Sequence, residues 1–201
     1  MDLTLFYLIG FMKSYSGGFS IEESIYQRIS FVGDDFEISE SKKEAFKKLT
    51  ELCEKTLTDA KVSNDINVEY WDGKKGAIIY SKNIVELICD FFKSKDSLTE
   101  NGRLVLDEYL FDEFEWKNEE SFSYQQRLSF LCGAFESNGN DNELYFYNDY
   151  KKCLLVHYLL KCFANEDDKI QMESYFKTPY TDYIVINKDG NIWNELKKYC
   201  S

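Results

Sequence analysis

The sequence predicts an α+β fold made of two halves with the same order of elements. Three observations carry that prediction. Two apolar helical runs, Leu5–Met12 and Arg127–Phe135, each hold a glycine at the matching place, Gly10 and Gly133. Each run passes into a small, polar turn and then into the same succession of strand-like and helix-like segments. Hydrophobic residues make up 44% of the chain and aromatic residues 17%, which is enough to give both halves a core.

In the first half the polar turn is Ser14–Gly18, followed by strand-like Gln27–Val32 and Asp35–Ile38. Ser41–Leu57 then spaces Ala45, Phe46, Leu49, Leu52 and Cys53 as one face of a helix, with Ser39 or Ser41 as a cap. The alternating runs Ile66–Trp71 and Ala77–Tyr80 flank Asp72–Gly76 and read as a hairpin. Asn83–Lys93 closes the half as a helix. The second half repeats the order. Its turn is Ser137–Asn140, its first strand Glu143–Tyr147, and its amphipathic helix Tyr150–Phe163. Its hairpin is Lys169–Phe176 with Tyr180–Ile186, and its closing helix is Asn191–Tyr199.

This doubled order resembles the LAGLIDADG homing endonucleases, whose single-chain members carry two αββαββα halves. The resemblance spans nearly the whole chain apart from residues 96–123. It implies two pseudo-symmetric LAGLIDADG-like halves packed through their first helices, with Gly10 and Gly133 allowing the helix backbones to approach. The implied division is residues 1–95, an acidic connecting segment 96–123, and residues 124–201.

The same resemblance places a metal-binding carboxylate at the bottom of each motif helix. Divalent metals such as Mg²⁺ need hard oxygen ligands, and phosphodiester cleavage needs charge neutralised around the phosphate. An ungapped match to the motif puts that position on Tyr15, and one inserted residue puts it on Ser16. In the second half, Leu131–Gly139 puts it on Asn138. None of these is an acid. The earlier acidic position of the motif is Lys13 in one half and Glu136 in the other, which leaves Glu136 as a weak metal candidate. Asp34, Asp35 and Asp141 lie nearby in sequence as possible substitutes. The reading is therefore of no catalytic residues, no cofactor and a chain that is not an enzyme.

Other chemistry is poorly supported. No GxGxxG or P-loop signature is present. Six cysteines, none in a CxxC pair, suggest reduced thiols in an intracellular protein. Cys153 and His157 stand at i, i+4, but His157 is the sole histidine, so a zinc site lacks ligands. The apolar start lacks a basic region and a cleavage site, so it reads as a buried helix and not as a secretory signal.

Net charge is −12, which opposes nucleic-acid binding. It is unevenly placed: residues 1–95 carry −3, residues 96–123 carry −7 and residues 124–201 carry −2. The segment 104–116 reads as a connecting helix. It displays Asp107, Glu108, Asp112, Glu113, Glu115 and Trp116, an acidic and aromatic surface suited to a basic protein. The expected function is thus an inactive LAGLIDADG-like monomer that binds a protein partner, for example as an inhibitor of a nucleic-acid-binding machine. A non-cleaving DNA-binding regulator is the alternative, followed by a metal-dependent endonuclease with displaced ligands.

Overall fold

The computed structural model describes residues 3–14, 20–22, 28–32, 40–70, 76–93, 103–104, 123–147, 150–164, 168–175 and 181–200. The elements run α1 (Leu3–Ser14), β1 (Ser20–Glu22), β2 (Arg28–Val32), α2 (Glu40–Asp59), β3 (Asn67–Tyr70), β4 (Gly76–Tyr80), α3 (Lys82–Lys93) and β5 (Arg103–Leu104). They continue as α4 (Tyr124–Asn138), β6 (Gly139–Asn140), β7 (Glu143–Tyr147), α5 (Tyr150–Phe163), β8 (Ile170–Tyr175), β9 (Thr181–Ile186) and α6 (Asn191–Cys200). The fold is α+β, with two antiparallel sheets ordered β3-β4-β2-β1-β5 and β6-β7-β9-β8.

Contacts divide the chain into two units. One comprises Met1–Leu8 and Gly17–Leu110, the other Ile9–Ser16 and Phe111–Ser201. α1 therefore contributes to both. Its sequence explains why: Leu5, Phe6, Leu8, Ile9, Phe11 and Met12 are all buried, so no polar stripe faces water along most of its length.

In the first unit α2 follows the amphipathic pattern. Phe46, Leu49, Leu52, Cys53 and Leu57 are buried. Burying each larger side chain contributes about 1.5–3 kcal/mol. Phe46 meets Tyr70 of β3 with ring centroids 5.9 Å apart, so the Tyr70 side of the sheet faces α2. α2 stops where the Val62 amide donates to the Leu57 carbonyl at 2.9 Å and Lys61 takes φ of 58°. This is the reverse-turn closure that glycine usually supplies. α3 starts on Ser81, whose hydroxyl accepts from the Ile84 amide at 3.1 Å. Asp65 accepts from the Asn83 amide at 3.1 Å and from the Ser81 hydroxyl, tying the loop before β3 to the start of α3.

In the second unit α4 opens with a capping box. The Ser123 hydroxyl accepts from the Gln126 amide, and the Gln126 side-chain oxygen accepts from the Ser123 amide at 2.8 Å. Leu144 and Phe146 of β7, with Ile184 and Ile186 of β9, point to the helix-covered side and are fully or almost fully buried. Asp168 is buried just before β8, and its Oδ1 accepts from the Ile192 amide at 3.3 Å, capping α6 from a distance. A Cβ on Gly190 would press on the Asp168 carboxylate and stand 3.1 Å from the Asn187 carbonyl oxygen, so a larger residue there would have to displace the capping side chain.

Three segments differ from the sequence reading. α4 continues to Asn138 instead of ending before a Ser137–Asn140 turn, and Gly139 closes it by donating its amide to the Phe135 carbonyl. The turn moves to Asp141 and Asn142, between β6 and β7. Leu104, read as the first residue of the connecting helix 104–116, belongs instead with Arg103 to a strand paired with β1. The proposed strand Asp35–Ile38 and residues 105–116 of the connecting segment lie outside the described residues.

Candidate functional site

Two places bear on function: the C-terminal ends of the motif helices, and the strands of the two sheets. At the first, Gly10 of α1 is buried within the second unit. A Cβ on Gly10 would stand 2.8 Å from the Phe130 carbonyl carbon of α4, and closer still to its oxygen. Only glycine tolerates that approach. Gly133 is buried on α4. Lys13 lies in the last turn of α1. Tyr15, Ser16, Asp34 and Asp35 lie outside the described residues.

The end of α4 is defined more fully. Asn138 is its last residue, and its backbone is followed by Gly139, where a Cβ would lie 3.2 Å from the Phe135 carbonyl carbon. Ser137 donates its hydroxyl back to the Ala134 carbonyl at 3.0 Å. Glu136 is exposed overall, yet the surrounding helix end desolvates its carboxyl and raises its pKa above the ordinary glutamate range. Asp141 takes a left-handed backbone with φ of 54° and pairs with the Lys188 ammonium. Its charge is therefore already compensated, three residues beyond the motif position. Asn142 fixes the turn by donating to the Ile186 carbonyl at 2.6 Å. Among the described residues, no group of three His, Cys, Asp or Glu side chains converges where a metal ion would sit.

The Cys153–His157 pair is divided by burial. Cys153 is fully buried, whereas His157 is half-buried on the same helix. The His157 pKa is lowered first by burial and then by the Lys161 charge, against a backbone hydrogen bond with Ile170 that raises it. The Cys53 thiol is fully buried and pushed up by the same desolvation, with the Glu54 charge adding to it. Neither cysteine is disposed as a nucleophile.

The open face of the four-stranded sheet follows from register. Glu143, Val185 and Gln171 stand in one transverse row, and Tyr145, Tyr183 and Glu173 in the next. Tyr145 and Tyr183 stack with centroids 5.6 Å apart and planes 27° apart. The Tyr183 hydroxyl donates to Glu173 at 2.6 Å, and the Tyr145 hydroxyl donates to Glu143. On the covered face of the same sheet, Asp182 is completely buried. Its Oδ1 accepts from the Ser174 hydroxyl at 2.6 Å, and among the described residues its Oδ2 has no hydrogen-bond partner.

In the five-stranded sheet, one row crosses every strand: Asn67, Tyr80, Arg28, Glu22 and Arg103. Directly opposed residues share one side of the pleat. Sequence reasoning missed the row because nothing local brings Arg28 and Arg103 together.

The fold has solved counterparts. A structure of I-DmoI with DNA and Mn is similar at a TM-score of 0.52 and 12% identity, covering 98% of this chain and 95% of that one. A structure with DNA and Ca is similar at a TM-score of 0.53 and 13% identity, covering 97% and 86%. A structure of mesophilic variants from the homing endonuclease I-DmoI reaches 0.51 and 13% identity, covering 98% and 95%. No family model matches the chain, and no curated protein does. The likeness establishes the fold.

It also corrects the expected partner. A protein docked on Asp107, Glu108, Asp112, Glu113, Glu115 and Trp116 was the leading expectation, with nucleic acid disfavoured. The structures that share the fold over nearly its full length carry DNA, which overturns that order. The physical reason lies in the charge distribution. Residues 96–123 alone hold −7 of the −12, so the whole-chain value says little about the two halves that form the sheets. The acidic and aromatic residues of that segment fall outside the described residues. Among the described residues, no helix is long and apolar enough to cross a membrane.

Proposed function

We propose that this chain is a degenerate two-repeat relative of the LAGLIDADG endonucleases that binds duplex DNA without cutting it. The observation that carries the reading is the fold, shared across 97–98% of the chain with DNA-bound structures. Charge is compatible once it is divided, since residues 1–95 and 124–201 carry only −3 and −2.

Loss of cleavage is supported by the chemistry of the donor set. The motif positions hold Tyr15 or Ser16 in one half and Asn138 in the other, so neither supplies a carboxylate. Glu136 resists ionisation more than an ordinary glutamate, and Asp141 is occupied by Lys188. Such a set does not fit a centre in which acids from both halves hold divalent metal.

The test is retention and cleavage measured together, with pooled duplex DNA at low salt and with Mg²⁺ or Mn²⁺. Retention without cutting is expected. Cutting that disappears in Glu136→Gln, Asp34→Asn or Asp35→Asn would replace this reading with an endonuclease whose ligands have moved. Absence of retention at low salt would overturn DNA binding altogether.

A further inference from the structure

The four-stranded sheet ends on β8, and among the described residues no strand lies beyond it. β8 has no Pro, no Gly and no bulge to blunt that edge, since its residues pair one to one with β9. The Asn187 amide donates to the Lys169 carbonyl at 3.0 Å, and the two residues stand opposite each other when the β8–β9 register is continued by one step. Bonded residues alternate along an antiparallel strand. Lys169, Gln171 and Glu173 therefore direct their backbone groups to β9, whereas Ile170, Met172 and Ser174 turn theirs outward. The side chains alternate as well. Lys169, Gln171 and Glu173 are exposed on one face, while Ile170 is buried and Met172 half-buried on the other.

We infer that two copies of this chain associate through β8, edge to edge and antiparallel, about a two-fold axis at Gln171, in place of the monomer expected from the sequence. The association is independent of DNA binding and uses an edge of the sheet, not a face.

Charge selects the register. Two copies related by a two-fold axis present the same patch to each other. With the axis at Gln171, Lys169 of each copy opposes Glu173 of the other. With the axis at Met172, Glu173 would oppose Gln171; with the axis at Glu173, the two glutamates would oppose each other. Only the first register opposes unlike charges, and it does so twice. Lys169 and Glu173 occupy non-hydrogen-bonded positions of the new ladder, where opposed Cα atoms lie about 4.5 Å apart and side chains are nearest. Between them, Met172 of each copy exchanges backbone bonds with Ile170 of the other, and the two apolar side chains share one face. The Tyr183 hydroxyl donates to Glu173 Oε2 at 2.6 Å, which holds the carboxylate on the exposed face with Oε1 toward the lysine's side of the contact only by rotation of the same group. His157 of α5 makes a hydrogen bond with the Ile170 backbone, and a carbonyl with two lone pairs can accept a second. One strand pair buries less than the roughly 1,200 Å² of a standard interface, so the dimer is weak and fills at high protein concentration.

The experiment is sedimentation equilibrium of the full chain from about 5 to 500 µM, with circular dichroism as the folding check. The wild type is expected to show a concentration-dependent monomer–dimer equilibrium. Lys169→Glu and Glu173→Lys each oppose like charges at both symmetric positions, and each should weaken the dimer at least about tenfold. An equimolar mixture of the two variants opposes unlike charges again, so its heterodimer should return to within about threefold of wild-type affinity, as should the double variant Lys169→Glu/Glu173→Lys. Met172→Pro removes an outward amide and no bond to β9, so it should abolish the dimer with the circular dichroism unchanged. A wild type that stays monomeric throughout, single variants that dimerise as well as the wild type, a folded mixture that stays monomeric, or a folded Met172→Pro that dimerises would each overturn the inference.

Discussion

Replacing Gly10 with alanine is the sharpest structural test. The new Cβ would stand 2.8 Å from the Phe130 carbonyl carbon and 3.0 Å from its Cα. Ordinary carbon–carbon contact is about 3.5–4.0 Å, so α1 and α4 would have to separate locally by at least about 0.5–1 Å. The obstacle is backbone in the middle of a helix, which has no rotamer to escape into. Overpacking of this kind costs about 1–3 kcal/mol and sometimes more. Alanine recovers up to about 1 kcal/mol through its better helix propensity. Because the collision is with a carbonyl group, the upper part of the overpacking range applies, and a net loss of about 2 kcal/mol is expected. For a chain of this size that lowers Tm by about 4–8 °C. Thermal unfolding followed by circular dichroism reads it directly. A variant as stable as the wild type, or more stable, would refute the close approach of the two helices.

Four further outcomes are expected. Ser174→Ala removes the Ser174 hydroxyl bond to the buried Asp182 carboxylate and should cost about 1–3 kcal/mol in urea denaturation; the double variant Ser174→Ala/Asp182→Asn should regain part of that loss. Because burial raises the folded-state pKa of Glu136, its ionisation opposes folding above the ordinary glutamate range and is silent below it. Glu136→Gln should therefore raise Tm at pH 7, with the gain disappearing as pH falls below the ordinary glutamate value; a gain that persists in acid would contradict this. Cys53, Cys132 and Cys153 are buried, so mass spectrometry after brief thiol labelling should find them unmodified until denaturant is added. Lys61→Gly relieves a left-handed backbone at the end of α2 and should stabilise by about 0.5–1 kcal/mol.

Much of the fold was legible because its signals are local. The helix Tyr150–Phe163 could be read from apolar spacing alone, and the β3–β4 and β8–β9 hairpins from alternation around short turns. Local signals misled at Ser137–Asn140. The polar composition suggests a turn, but the Gly139 amide still reaches the Phe135 carbonyl and the helix runs to Asn138. Leu104 falls into the helical pattern of 104–116 because its strand identity depends on pairing with distant β1. The candidate site was less legible for the same reason. The motif supplied Glu136, Asn138 and Gly10 by position, whereas the Arg28–Glu22–Arg103 row exists only through register between distant strands. Net charge misled because it averages over a connecting segment that holds most of it.

The assignment of Ile9–Ser16 to the second unit has a consequence for dissecting this protein. The repeat boundary suggests that residues 124–201 could be expressed alone, but that fragment would lack Ile9, Phe11 and Met12, which are buried in the intact chain. It would also expose the carbonyl groove at Phe130 that Gly10 fills. Such a fragment should be poorly soluble by itself and recover when a peptide spanning α1 is supplied in trans. The duplication written in the sequence and the boundary drawn by contacts are thus different boundaries, and split-protein complementation would follow the second.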